Sequence, residues 1–116
     1  MGCPVEHSLS PAMHNAAFRV LGLDAVYAAL EVSPERVGAA VETVRSASVL
    51  GANVTVPHKE AVIAHLDRLD PEAKWLRSVN TLYKREGKLV GASTDGPGFL
   101  RALGPHAKKV RGSRVL

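Results

Sequence analysis

VLGANVTVPHKE, Val49 to Glu60, starts as a buried strand and ends as something else. Its apolar and β-branched residues predict a strand over Val49 to Val56. Pro57 closes it, because proline has no N–H to give a sheet ladder yet suits a first helical turn. A helix carrying Ala61, Val62, Ile63 and Leu66 is expected to follow. The handover holds Asn53, Thr55 and Lys59. In open α/β sheets such strand ends are where ligands collect.

Upstream, Ser10-Pro11 reads as a serine cap and a proline in the first turn of a helix, whose apolar stripe is Met13, Ala16, Ala17, Val20 and Leu21. Gly22 ends it. AVYAALEV, Ala25 to Val32, is a short β-rich run predicting a strand, and Pro34 to Ser46 repeats valines at helical spacing. Downstream, Asp70-Pro71-Glu72 starts a short helix that includes Trp75, expected to be packed in or against the core. VNTLYKREGKLVGAST shows two apolar runs around Arg85-Glu86-Gly87, a hairpin pattern. Thr94-Asp95-Gly96 opens the last helix, which stops at Gly104-Pro105. The alternation predicts an α/β fold: a three-layer sandwich with a mostly parallel sheet, closed by a β-hairpin. A βαβ unit also needs an opening strand, whereas GCPVEHS feeds directly into a helix.

The chain has 116 residues, 46% of them hydrophobic, which suits a single packed domain. No apolar run is long enough for a membrane helix, and MGCPVEHSLSP lacks the pattern of a secretory signal, so a cytoplasmic protein is expected. The one cysteine, Cys3, has no partner for a disulfide or a zinc site and reads as a small buried residue. No metal is expected. The net charge of +4 comes from Lys108, Lys109, Arg111 and Arg114, since eleven bases and eleven acids precede them. A neutral body without aromatics beside that tail argues against nucleic acid.

At the strand ends and helix starts the chemistry-bearing residues are Ser8, Ser10, Asn53, Thr55, Lys59, Asn80, Thr94 and Asp95. Uncharged hydrogen-bonders with one cation and one anion suit a small, hydroxyl-rich ligand carrying a carboxylate. Lys59 beside Asp95 would be a charge pair able to offer a proton to a ligand oxygen. A surface lysine and a helix-capping aspartate are the plainer alternative. His58, next to the lysine, points elsewhere on a helix and reads as a bystander.

HSLSPAMHNAAF, GANVTVPHKE, VNTL and TDGPGFL occur in the order and spacing of the N-terminal, substrate-binding domain of shikimate dehydrogenase, and the sequence resembles that family from Gly2 to about Leu103. The resemblance implies that Ser8 and Ser10 bind the shikimate carboxylate, that Asn53 and Thr55 contact the ligand, and that Lys59 is the catalytic lysine. It also implies that Asn80 and Asp95 hold the ring hydroxyls, with Asp95 partnering the lysine. The implied reaction is the reversible, NADP-dependent reduction of 3-dehydroshikimate to shikimate, by a monomer or homodimer.

On that resemblance residues 1–104 form the shikimate-binding catalytic domain, with its first strand missing. Residues 105–116 are a linker and the first residues of an NADP-binding Rossmann domain. No glycine-rich nucleotide turn occurs, so the chain alone is expected to turn nothing over. Arg77-Ser78 before VNT, and Ser93 in place of the usual asparagine before TDG, depart from the family pattern. A quinate or shikimate dehydrogenase using NAD, and a non-catalytic shikimate-binding module, are the competing readings.

Overall fold

The computed structural model describes residues 1–106 and Gly112. Among the described residues, four helices and four strands follow in the order α1 (Ser10–Leu21), α2 (Val37–Val44), β1 (Gly51–Asn53), β2 (Arg68–Leu69), α3 (Pro71–Leu76), β3 (Thr81–Arg85), β4 (Lys88–Ala92) and α4 (Asp95–Ala102). Short 3-10 turns cover Pro34–Arg36, Ala61–His65 and Gly104–His106. The fold is α/β as expected, but the sheet is mixed. Its order is β1-β3-β4-β2, with β1–β3 and β3–β4 antiparallel and only β2–β4 parallel.

The hairpin dominates because its turn is built for it. Glu86 and Gly87 both take positive φ, 53° and 71°, which matches a two-residue turn to the twist of the strands. Leu82 and Leu89 face inward and are 1% exposed. They meet Val37, Val41 and Val44 of α2, spaced four and three apart on one helical stripe, together with Val62, Ala73 and Val79. Gly51 is needed where β1 passes β3, since a Cβ there would sit 2.5 Å from the Leu82 carbonyl oxygen.

Several sequence expectations are corrected. Ala25 to Val32 is extended but forms no ladder; it is bridged only at Glu31, in parallel with Gly2. A strand needs a hydrogen-bonded neighbour, and here the Tyr27 N–H and C=O are taken by the Asn15 side chain, each at 2.8 Å. The strand expected over Val49 to Val56 is laddered only from Gly51 to Asn53. After Pro57 there is a turn and then the 3-10 segment Ala61–His65 rather than an α-helix, because the chain must turn into β2 at Arg68. Leu9, not Ser10, caps α1. Trp75 is 79% exposed, because α3 buries Ala73, which lies nearly opposite it around the helix. Cys3 is half-buried, its Sγ 3.6 Å from a Glu31 carboxylate oxygen. The basic tail expectation falls on residues outside the described ones, Gly112 aside.

Met1 to Cys3 cross between two segments. Gly2 N–H donates to Leu30 and Val32 N–H to Gly2 on one side; Thr55 N–H donates to Met1 and Cys3 N–H to Val56 on the other. Beyond Met1 the two walls, Asp24–Tyr27 and Ser48–Asn53, border an open slot of about 660 Å³. Val26 and Leu50 are 88% and 76% exposed there.

Ser93, between β4 and α4, is 4% exposed, and its hydroxyl finds no protein partner. A buried hydroxyl without a hydrogen bond costs about 1–3 kcal/mol, so Ser93→Ala is expected to hold or raise the melting temperature. A clear fall in the thermal melt would show that the hydroxyl is satisfied.

Candidate active site

Two polar clusters meet at the ends of β1 and β3. The first surrounds a cavity of about 130 Å³ whose lining includes Ser8, Ser10, Tyr27, Asn53 and Thr55. Ser8 and Ser10 arrive there because the start of α1 turns over the end of β1. The Ser8 hydroxyl accepts from the Ser10 N–H at 3.3 Å, which places a side-chain oxygen at the positive end of a 12-residue helix. Helix starts of this kind favour anions.

The second cluster is Lys59, Asn80, Thr94 and Asp95. Lys59 Nζ lies 2.5 Å from Asp95 Oδ2, although 36 residues separate them. Asn80 is the hub. Its Nδ2 donates to Thr94 Oγ1 and Asp95 Oδ1, both at 2.9 Å. Its Oδ1 accepts from the Thr94 N–H at 3.1 Å and the Thr81 hydroxyl at 2.9 Å. Both donors and both lone pairs of the amide are thereby engaged, so a ligand reaching Asn80 has to exchange one of them. The clusters touch where the Asn80 carbonyl oxygen accepts from the Val54 N–H at 2.9 Å and from Asn53 Nδ2 at 3.4 Å.

All eight expected residues thus fall into these two groups. Lys59 stands in a turn, not on a helix, and its backbone is pinned: the Val79 N–H donates to its carbonyl at 2.9 Å. His58 points the other way, as expected, but it is no idle neighbour. It is 1% exposed, and its Nε2 lies 2.6 Å from the Val32 carbonyl oxygen. That oxygen can only accept, so Nε2 carries the proton. Tyr27 is the site residue that sequence reasoning missed. Its hydroxyl donates to Asn53 Oδ1 at 3.0 Å. A single polar-tipped aromatic inside the apolar run AVYAAL was the available signal, since such a hydroxyl needs a partner once it is partly buried.

Lys59 and the Asn80 amide hold the Asp95 carboxyl below its ordinary value near 3.8. Away from the site, the Arg45 guanidinium and the Leu89 N–H, each 2.7 Å from Asp67 Oδ2, do the same to Asp67. A carboxylate with a depressed folded pKa contributes stability that is present above its unfolded pKa and is lost as pH falls through the folded value. The melting temperature is therefore expected to hold down to about pH 4 and to fall below it. Asp67→Asn is expected to flatten that acid limb. An unchanged limb in the variant would remove Asp67 from the account.

The family model for the shikimate dehydrogenase substrate binding domain matches residues 1–82. The chain belongs to this family. The shikimate dehydrogenase (NADP(+)) of Methanopyrus kandleri is 55% identical over 103 residues, which are 89% of this chain and 36% of that protein. A crystal structure of the Thermus thermophilus shikimate 5-dehydrogenase in complex with shikimate superposes with a TM-score of 0.82 at 49% identity, covering 88% of this chain and 39% of that one. The 5-ketofructose reductase of a Gluconobacter strain also superposes, with a TM-score of 0.82 at 37% identity, covering 88% of this chain and 37% of that one. The family chain described here therefore spans little more than a third of the length of these relatives. No helix among the described residues is long and apolar enough to cross a membrane.

Proposed function

We propose that this chain is the substrate-holding part of an NADP-dependent shikimate dehydrogenase, which interconverts 3-dehydroshikimate and shikimate. The observation that carries the reading is the Lys59–Asp95 pair set beside the cavity of Ser8, Ser10, Asn53 and Thr55. Serine hydroxyls at a helix start suit the carboxylate, and the amides and Thr55 suit ring hydroxyls. Retention of a lysine held by a carboxylate favours an enzyme over a binding module, since binding alone needs no proton donor.

When bound, the nicotinamide would supply hydride to the carbonyl carbon, and the carbonyl oxygen would then need a proton. This chain's part is the proton. Lys59 gives it as negative charge gathers on the oxygen, and takes it back from the hydroxyl in the oxidation. Asp95 keeps the lysine in place throughout. The nucleotide itself has no seat among the described residues. The start of α4 has glycines, Gly96 and Gly98, but it presents the Asp95 carboxylate where a phosphate would have to lie.

The same reading extends to the slot beside Met1. An extended strand seated there would pair with both walls and complete a three-layer sandwich. The paired serines and Thr55 lean toward shikimate over quinate as the substrate.

The test is a calorimetric titration of the chain with shikimate up to millimolar concentration, beside a Ser8→Ala/Ser10→Ala double variant. Each hydrogen bond to a charged group is worth about 1.5–3 kcal/mol, so the variant is expected to lose at least about tenfold in affinity. Equal affinity in the two proteins would move the carboxylate elsewhere. Absence of binding by folded wild-type chain would sink the reading.

A further inference from the structure

We propose that Tyr27 is a positioning residue that fixes the orientation of the Asn53 side chain, and so decides which end of that amide faces the substrate. The inference rests on the reading that the cavity of Ser8, Ser10, Asn53 and Thr55 takes the substrate.

An asparagine amide has a donor end and an acceptor end of nearly the same shape, and a small polyol is told apart by which end it meets. Asn53 is exposed and lies at the end of a three-residue strand, so the backbone alone leaves its side chain free to turn over. Tyr27 removes that freedom. Its hydroxyl donates to Asn53 Oδ1 at 3.0 Å, which leaves Nδ2 directed toward the Asn80 carbonyl oxygen at 3.4 Å. The two contacts agree, since a hydroxyl hydrogen needs the oxygen end and a carbonyl oxygen needs the nitrogen end. Burial pushes the Tyr27 hydroxyl above its ordinary pKa, against a smaller lowering effect from Ser10, so it remains protonated and able to donate across the neutral range.

Tyr27 is itself held from two directions by α1, the helix that begins at Ser10. Asn15 closes on its backbone N–H and C=O, both at 2.8 Å. The His14 ring stacks on the tyrosine ring with centroids 4.4 Å apart and planes 10° from parallel. One helix therefore carries a serine of the cavity at its start and, one turn on, sets the tyrosine that orients the amide opposite. A packing role alone would need the ring; the hydroxyl has its own task.

The experiment compares shikimate titrations of the wild-type chain, Tyr27→Phe, Asn53→Ala and the double variant. Phenylalanine keeps the stack on His14, and circular dichroism checks that each variant is folded. Tyr27→Phe is expected to weaken binding about tenfold, and to cost nothing further once Asn53 is alanine. Wild-type affinity in Tyr27→Phe, or losses that add in the double variant, would overturn the proposal. A second readout needs no ligand: the 15N-labelled side-chain amide of Asn53, assigned by its loss in Asn53→Ala, is expected to shift in Tyr27→Phe. If wild-type chain fails to bind shikimate, the functional reading falls while this signal still judges the geometry. An unmoved resonance overturns the positioning role in either case.

Discussion

Lys59→Met is expected to lower the rate of 3-dehydroshikimate reduction by about 10²–10⁴-fold, the usual contribution of a positioned acid or base, while shikimate affinity is expected to stay within a few-fold of wild type. The assay joins this chain to the nucleotide-binding part of a relative such as the Methanopyrus kandleri enzyme. Methionine keeps the length of the side chain and removes the proton and the charge. An effect confined to the rate constant follows because the proton is transferred only as the carbonyl oxygen becomes negative. Asp95→Asn is expected to fall in the same direction by less, since the amide still reaches the lysine but no longer balances it. A lysine variant that reduced substrate at the wild-type rate would reassign the proton to another group and return Lys59 to the surface.

His58→Ala is the second large expected effect, and it acts on stability. The ring is fully enclosed and its Nε2–H is the partner of the Val32 carbonyl 26 residues away. Removing it opens a cavity and strands that oxygen, a combined cost of about 3 kcal/mol or more. Whole domains are stable by only about 5–15 kcal/mol, so the variant is expected to melt far below the wild type. His58→Gln offers a side-chain N–H to the same carbonyl and is expected to recover part of the loss. If alanine leaves the melt unchanged, the hydrogen bond is not made in solution. The effect would also reach the chemistry, because the ring's hydrogen bond to the Val32 carbonyl ties down the residue directly before Lys59.

Much of this site was legible in the sequence because its residues sit at boundaries that announce themselves. Ser10-Pro11, Pro57 and Thr94-Asp95-Gly96 mark such boundaries, and the polar residues in and beside them have no packing reason to be there. Other features were hidden for physical reasons. β2 is two residues long, Arg68–Leu69, and exists because it lies alongside β4; nothing in its own composition marks a strand. AVYAALEV has the composition of a strand, yet strand formation depends on a neighbour that local sequence does not describe. The mixed sheet has the same origin, since residue type says little about which direction a partner runs. Trp75 misled for another reason: a large aromatic predicts burial on average, but its place on the helix is set by Ala73, and the two cannot both face inward. Tyr27 acts through a contact to a residue 26 positions away, beyond the reach of any local pattern.

The open slot beside Met1 also bears on how this protein behaves in a tube. β1 is the last strand of its sheet among the described residues, and the facing segment carries Val26 almost wholly exposed. Sheet edges left open with apolar side chains beside them recruit the same feature on other molecules. Storage life is therefore expected to shorten with concentration, with light scattering by concentrated stocks below the melting temperature as the measurement that checks it. A short extended peptide that fits the slot would then be expected to clear the haze, while lying against Tyr27 and Asn53 of the candidate site.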